Sequence, residues 1–257
     1  MQHFFVEPGQ IHDNIITITG DNVNHIKNVL RMKIGEEISV SNGIDDNDYR
    51  CIIESLEEDS IICKLIFIKE DGIELPARIT LFQGLPKADK MELIIQKAVE
   101  LGVYEIVPVS TKRAVVKLDD KKAKSKIARW QGISEAAAKQ SKRAIVPEVR
   151  DVMTMGEALK YASSFESAVI PYEMAEGMVA TKQWISEVIA KVKENSSEEK
   201  PRIGIFIGPE GGFDESEIEK ADASGIRPIS LGKRILRTET AGMTTLSILM
   251  YHLEILE

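Results

Sequence analysis

Cysteine is scarce: the 257-residue chain has two, Cys51 and Cys63. Both lie in strand-like runs. That excludes a disulfide framework or a Cys-rich metal site and predicts buried thiols in a reducing cytosol. Four scattered histidines show no metal-ligand spacing, so no metal is expected. No apolar run approaches the roughly 20 residues of a membrane span. The N-terminus lacks the basic-then-apolar layout of a signal peptide. A cytoplasmic protein without membrane contact is expected. There is no Gly-Lys-Ser/Thr phosphate loop, no dinucleotide fingerprint and no internal repeat of fixed period.

Apolar residues make up 43% of the chain and charged residues 29%, enough for a core and a soluble surface. The length suits one large or two modest domains. Residues 1–73 read as a small β-rich domain. Phe4-Phe5-Val6, Ile15 to Thr19, Glu37 to Ser41, Tyr49 to Leu56 and Ser60 to Ile68 are strand-like. Asn42-Gly43 and Glu58-Asp59 mark turns, and Asp21 to Leu30 has helical spacing. Strands so short and regular suggest a small barrel. Asp71 to Ala77 reads as a linker, broken by Gly72 and Pro76. Strand and helix then alternate: strand 78–84, helix 89–101, strand 104–109, helix 125–142, strand 168–172, helix 181–193. These are the βαβ units of a parallel sheet, so residues 78–257 form an α/β domain.

The net charge is −8, but it is unevenly spread. Residues 112–143 hold eleven Lys/Arg against Asp119, Asp120 and Glu135, a net +8 that leaves −16 on the rest. Such a segment is either a phosphate-binding face or a solvated helix surface. Trp130 is its only aromatic residue, which argues against a stacking groove for long single strands.

The rest is organised around residues 203–241. An apolar strand, Ile203 to Ile207, runs into Gly208-Pro209-Glu210-Gly211-Gly212, and Asp214 with Glu217 makes a capping box for the helix that follows. Ligands collect at such a loop, at the carboxyl end of a strand. Glu210 would repel a phosphate, so the loop suits a neutral or cationic ligand gripped by backbone groups; otherwise it is a tight turn. Ile229 to Gly232 is a short strand into a second loop with Lys233, Arg234 and Arg237. The last helix, from about Thr240 to Leu256, has few charges and is expected to be buried, in the core or a dimer interface.

Gly208-Pro209-Glu210-Gly211-Gly212-Phe213, with Leu231-Gly232-x-x-Ile235-Leu236-Arg237-x-Glu239-Thr240-Ala241, resembles the signature of the SPOUT class of RNA methyltransferases. Within it the chain is most similar to the bacterial enzymes that methylate uridine N3 of 16S ribosomal RNA. The resemblance extends over Lys87 to Gly102, over Pro171-Tyr172-Glu173, and over His25 with Val29-Leu30-Arg31. It implies S-adenosylmethionine as cofactor, a homodimer, a PUA-like N-terminal barrel that docks RNA, and a trefoil knot in the C-terminal domain. The cofactor-binding positions it implies are Pro171, Tyr172, Ile207 to Gly212, Leu231, Gly232, Ile235, Leu236, Thr240 and Ala241. A Glu-Ala-x-x-Gln-x-x-Arg element, here with one extra residue after Glu135-Ala136, implicates Gln140 and Arg143. Arg31, Lys112, Arg113, Lys139 and Gln140 are the RNA-binding candidates, and 16S RNA within the small subunit is the implied partner.

Methyl transfer to an imide nitrogen needs no metal. It needs alignment and somewhere for the N3 proton to go. An arginine can stabilise the uracil anion, with Arg143, Arg113 and Arg237 as candidates. A carboxylate can accept the proton: Glu239 first, Glu210 second, though both can instead cap helix or loop N–H groups. The alternative function is a non-enzymatic RNA-binding or ribosome-assembly factor whose loops are mere turns.

Overall fold

A computed structural model of the chain describes residues 1–69, 72–175, 177–197 and 199–256; Asp71, where the expected linker begins, lies outside them. The chain divides into two compact units. One is Met1–Glu74 with Ala138–Val146; the other is Leu75–Ala137 with Pro147–Glu257. The segment 138–146, which reads in sequence as part of the second domain, thus groups with the first.

In the first unit, strands β1 (Gln2–Phe5), β2 (Ile11–His12), β3 (Ile15–Thr19), β4 (Glu37–Ser41), β5 (Asp48–Leu56) and β6 (Ser60–Lys69) form one sheet, in the order β1-β4-β5-β6-β3-β2. Only β1 and β4 pair in parallel. Period-2 alternation turns Ile16, Ile18, Ile61 and Cys63 inward, all fully buried. Register shifts between β5 and β6, at Arg50/Cys51 and Ile53/Ser55, add twist and curl the sheet over this core into a half-barrel. Helix α1 (Asp21–Asn24) continues as a π-helical turn, His25–Val29, that adds Val23 and Ile26 to the core. Cys51 and Cys63 are buried and free.

Arg143 belongs to this unit. Its guanidinium is 4% exposed and pairs with the Glu74 carboxylate, which is 8% exposed. Arg143 Nε donates to Glu74 Oε1 at 3.1 Å, and the same oxygen accepts the Ala144 N–H at 3.0 Å. A buried charge pair so hydrogen-bonded is a structural tie. Arg143, a candidate for the reacting centre by resemblance, is therefore committed to holding its own segment.

The second unit comprises β7 (Arg78–Gly84), α2 (Lys90–Glu100), β8 (Glu105–Ser110), α3 (Asp120–Ser141, grouped with the first unit from Ala138), β9 (Glu148–Val149), β10 (Met153–Thr154), α4 (Met155–Ala162), β11 (Ser167–Pro171), α5 (Val179–Glu194), β12 (Arg202–Ile207), α6 (Glu215–Ala223), β13 (Arg227–Ile229) and α7 (Thr238–Glu254). Its sheet is wholly parallel, in the order β10-β8-β7-β12-β11-β13, with β9 also on β8. Central strands β7 and β12 are buried along nearly their whole length, as parallel strands covered on both faces must be. Phe82 and Phe206 stack between them at 4.2 Å.

The second unit departs from the sequence pattern in three places. Helix α3 begins at Asp120, where Asp119 takes the Lys122 N–H at 2.8 Å. Strand β13 ends at Ile229 instead of starting there. Its Pro228 is tolerated because β13 is an edge strand. Residues 148–162 hold β9, β10 and α4, two of them too short for any period to show. Among the described residues no helix is long and apolar enough to cross a membrane.

Arg143→Ala would remove the guanidinium that pairs with buried Glu74. We expect a loss of about 3–5 kcal/mol, read as an earlier urea midpoint with an unchanged m-value. A midpoint equal to that of the parent chain would show that the pair does not support the first unit.

Candidate functional site

Parallel strands bring their carboxyl ends to one edge. Gln83 of β7 is level with Ile207 of β12, and Pro171 of β11 with Ile229 of β13. The segments leaving these ends form the site. After β12 the chain turns through Gly208 to Gly212, closed by the Gly212 N–H on the Pro209 carbonyl at 2.9 Å. Gly212 sits at φ +66°, a left-handed backbone that other residues resist. The capping box is present: Asp214 accepts from the Ser216 N–H, and Glu217 from the Asp214 N–H. Glu217 also accepts the Lys112 N–H at 2.9 Å, which ties the end of β8 to the start of α6.

After β13, the Thr181 hydroxyl donates to the Ser230 carbonyl at 2.6 Å, and the Ser230 hydroxyl accepts the Gly232 N–H at 3.2 Å. The two turns are joined through Thr238, first residue of α7. Its hydroxyl donates to the Gly208 carbonyl at 2.6 Å and accepts from the Gln83 amide at 2.9 Å. Gln83 is fully buried.

Between the turns lies a cavity of about 500 Å³, within the usual range for a small-molecule site. Of the cofactor candidates, Pro171, Tyr172, Ile207 to Glu210, Gly212, Leu231, Gly232, Ile235, Leu236 and Ala241 line it, as does Arg237. Gly211 and Thr240 are not among the lining residues. Gly211 instead backs onto Arg113: a Cβ there would stand 3.3 Å from the Arg113 Cβ and carbonyl. Sequence reasoning missed Lys90, Phe213 and Thr238, which also line the cavity. Lys90 was hidden at a helix start; the signal for Thr238 was its place in Arg237-x-Glu239.

Glu210 and Lys90 are paired here. Both Glu210 oxygens face the Lys87 N–H, at 3.1 and 3.2 Å, and Glu210 Oε1 is 3.1 Å from Lys90 Nζ. Burial acts to raise the Glu210 pKa, but backbone N–H groups and Lys90 outweigh it and hold it below the usual carboxylate range. Lys90 Nζ is also 3.4 Å from Glu239 Oε2, a buried atom with no hydrogen bond. Hydrogen bonding to Glu210 is the largest of the effects that hold the Lys90 ammonium above its ordinary pKa.

The RNA candidates fall in two places. Lys112 and Arg113 are in the second unit, exposed, and reach Asp214 at 3.3 and 3.7 Å. Arg31, Lys139 and Gln140 are exposed on the first unit, Arg31 with φ +53°. Trp130 is buried, so the basic helix presents no aromatic platform. His25 is exposed and edge-on to Phe4, and Glu100 pairs with Lys97. Among the described residues no cluster of His, Cys, Asp and Glu could hold a metal.

A family model described as an RNA methyltransferase domain matches residues 73–250, and one described as an RNA methyltransferase PUA domain matches residues 18–66. The chain is 38% identical to a ribosomal RNA small subunit methyltransferase E of Bacillus subtilis, over 100% of this chain and 98% of the relative. It is 32% identical to the protein of that name in Mesomycoplasma hyopneumoniae, over 96% and 98%. It superposes on a crystal structure of such an enzyme from Neisseria gonorrhoeae bound to S-adenosyl methionine with a TM-score of 0.80, at 28% identity, over 98% and 97%.

A Cβ at position 84 would lie 2.6 Å from Pro209 Cδ, so β7 and the first turn can meet only over a glycine. Gly84→Ala is expected to cost about 1–3 kcal/mol, a fall in Tm of several degrees. Gly9→Ala, with nothing within 4 Å, should leave Tm unchanged. Equal melting of the two variants would mean the turn is not held against β7.

Proposed function

We propose, for a chain that belongs to the RNA methyltransferase family, that it transfers a methyl group from S-adenosylmethionine to the uridine N3 of small-subunit ribosomal RNA. One observation supports this most: the turns that follow β12 and β13, two strands on either side of β11, line one cavity together. An assembly factor whose loops were mere turns would have no use for such a cavity.

The residues present fit the cofactor. Ile207, Pro209, Leu231 and Leu236 give apolar walls for a purine, and the backbone of both turns gives polar atoms for its edges and tail. Among the described residues there is no metal-like cluster; the lining carries Glu173 and Glu210 beside Lys90, Lys233, Arg234 and Arg237, so acids for the positive sulfur and cations for the carboxylate tail are both present. When bound, S-adenosylmethionine supplies an electrophilic methyl group whose bond to sulfur breaks, the electron pair staying on sulfur, as the new N–C bond forms.

This chain's part is alignment, proton removal and charge stabilisation. The backbone of the two turns would hold the donor and align it with the base. Arg237, on the cavity lining, is the arginine for the imide anion that develops on the uracil. Glu239, the second residue of α7 and not itself among the lining residues, is the first choice of proton acceptor. Lys112 and Arg113 on the second unit, and Arg31, Lys139 and Gln140 on the first, contact the RNA. These contacts are phosphate contacts, which position the substrate and do not select its sequence. The uridine leaves its stack to reach the cavity.

The reading extends to a cytoplasmic homodimer and a C-terminal trefoil knot. Support for a partner comes from α7, which buries Leu246, Leu249 and Leu253 but leaves Tyr251 62% exposed.

Gly212→Val forces a β-branched residue into a left-handed backbone at the cavity wall. S-adenosylmethionine should bind at least roughly tenfold more weakly by calorimetry, from about 1–3 kcal/mol of strain; unchanged affinity would place the cofactor elsewhere. Small-subunit RNA from a deletion strain should lack one methyluridine by mass spectrometry, and the missing mass should return with the gene. An unaltered methylation map would overturn the assignment of substrate.

A further inference from the structure

Lys90 is the group that the chemistry above leaves unexplained. It is the first residue of α2, with Asp89 as the N-cap. A cation there opposes the helix dipole, which favours negative charge at this end. What holds it is a pair of carboxylates from two other elements: Glu210 of the first turn and Glu239 of α7. The two are not equivalent. Glu210 is engaged by the Lys87 N–H and by Lys90, so it has little capacity left to take a proton. Glu239 Oε2 is buried and has no hydrogen bond; only the ammonium faces it, at 3.4 Å. A buried carboxylate oxygen without a hydrogen bond costs free energy, which the lysine offsets. The Glu239 side chain stays 16% exposed, and since Oε2 is covered that exposure lies elsewhere on it.

Resting on the methyltransferase reading, we propose that Lys90 is a positioning residue: its ammonium fixes Glu239 by Oε2, so that the other carboxylate oxygen takes the proton from the base nitrogen. The N–H bond breaks, its electron pair remains on nitrogen for the bond to the methyl carbon, and the proton ends on Glu239. Glu210 is the anchor for the lysine and not an alternative acceptor. The bridge also joins the turn that holds the donor to the helix that carries the acceptor, so donor and acceptor are set by one ammonium.

The test is a double-mutant cycle on the full-length protein, with unmethylated small ribosomal subunits as substrate and S-adenosylmethionine binding measured separately by calorimetry. Lys90→Met should slow single-turnover methylation roughly 100-fold, the usual range for a lost proton acceptor, while the cofactor Kd moves less than about threefold. Lys90→Arg, which keeps the charge, should recover most of the rate. Glu239→Gln should be as slow as Lys90→Met, and the double variant no slower than either, because both remove one function. Losses that multiply in the double variant, a Kd that weakens in step with the rate, or an arginine variant no better than the methionine one would overturn the proposal. A wild-type protein that neither binds the cofactor nor methylates would overturn the parent reading, and this one with it. Lys90→Gln, measured beside the melting temperature, separates lost function from lost fold; a Gln variant with parent stability and parent rate would also sink the idea.

Discussion

The Thr238 hydroxyl is the tie on which the site depends. It receives the Gln83 amide and gives its own hydrogen to the Gly208 carbonyl, so one side chain links β7, the first turn and α7. Each link is an ordinary hydrogen bond, worth about 1 kcal/mol net. Their value lies in position. Turns leaving separate strands would otherwise move independently; here they face each other across a fixed gap. Gly84 works to the same end by letting the Pro209 turn lie against the strand at a distance that excludes any side chain.

Charge is used in the same economical way. In sequence Glu210 is an odd acid in a glycine loop. In the fold it is the strut that carries Lys90, and Lys90 in turn meets Glu239. On the far side of the turn, Lys112 and Arg113 pair with Asp214. The loop is thus clamped by cations from both flanks, while its glycines stay free to approach a ligand. A site built this way is formed before the ligand arrives, so little ordering cost falls on binding.

Much of this was legible beforehand. Strand-loop-helix at Ile203 to Glu217 could be read from an apolar run, a glycine cluster and a capping box, because all three signals are local. The glycine and leucine turns could be paired from the family resemblance, and they do share a cavity. The packing of Gly211 against Arg113 could not be read, since a glycine's reason can be a neighbour as easily as a ligand. The pairing of Arg143 was not legible. That arginine sits three residues from Gln140 on a basic helix, and nothing in that stretch tells that Glu74, 69 positions earlier, lies against it. Short β9, β10 and the edge strand β13 escaped or shifted because two or three residues carry no period.

From the order of residues alone came the α/β class of the larger unit, the β-rich class of the smaller one, the reading of residues 1–73 and 78–257 as separate domains, and the two turns as the place of interest. These depend on periodicity and backbone preference, which act over a few residues. Pairing across the chain came only with the folded structure: Thr238 with Gly208 and Gln83, Lys90 with Glu210 and Glu239, Arg143 with Glu74. Such contacts join positions up to 155 residues apart, and no local rule reaches that far, since burial and the parallel sheet bring those side chains within hydrogen-bonding range.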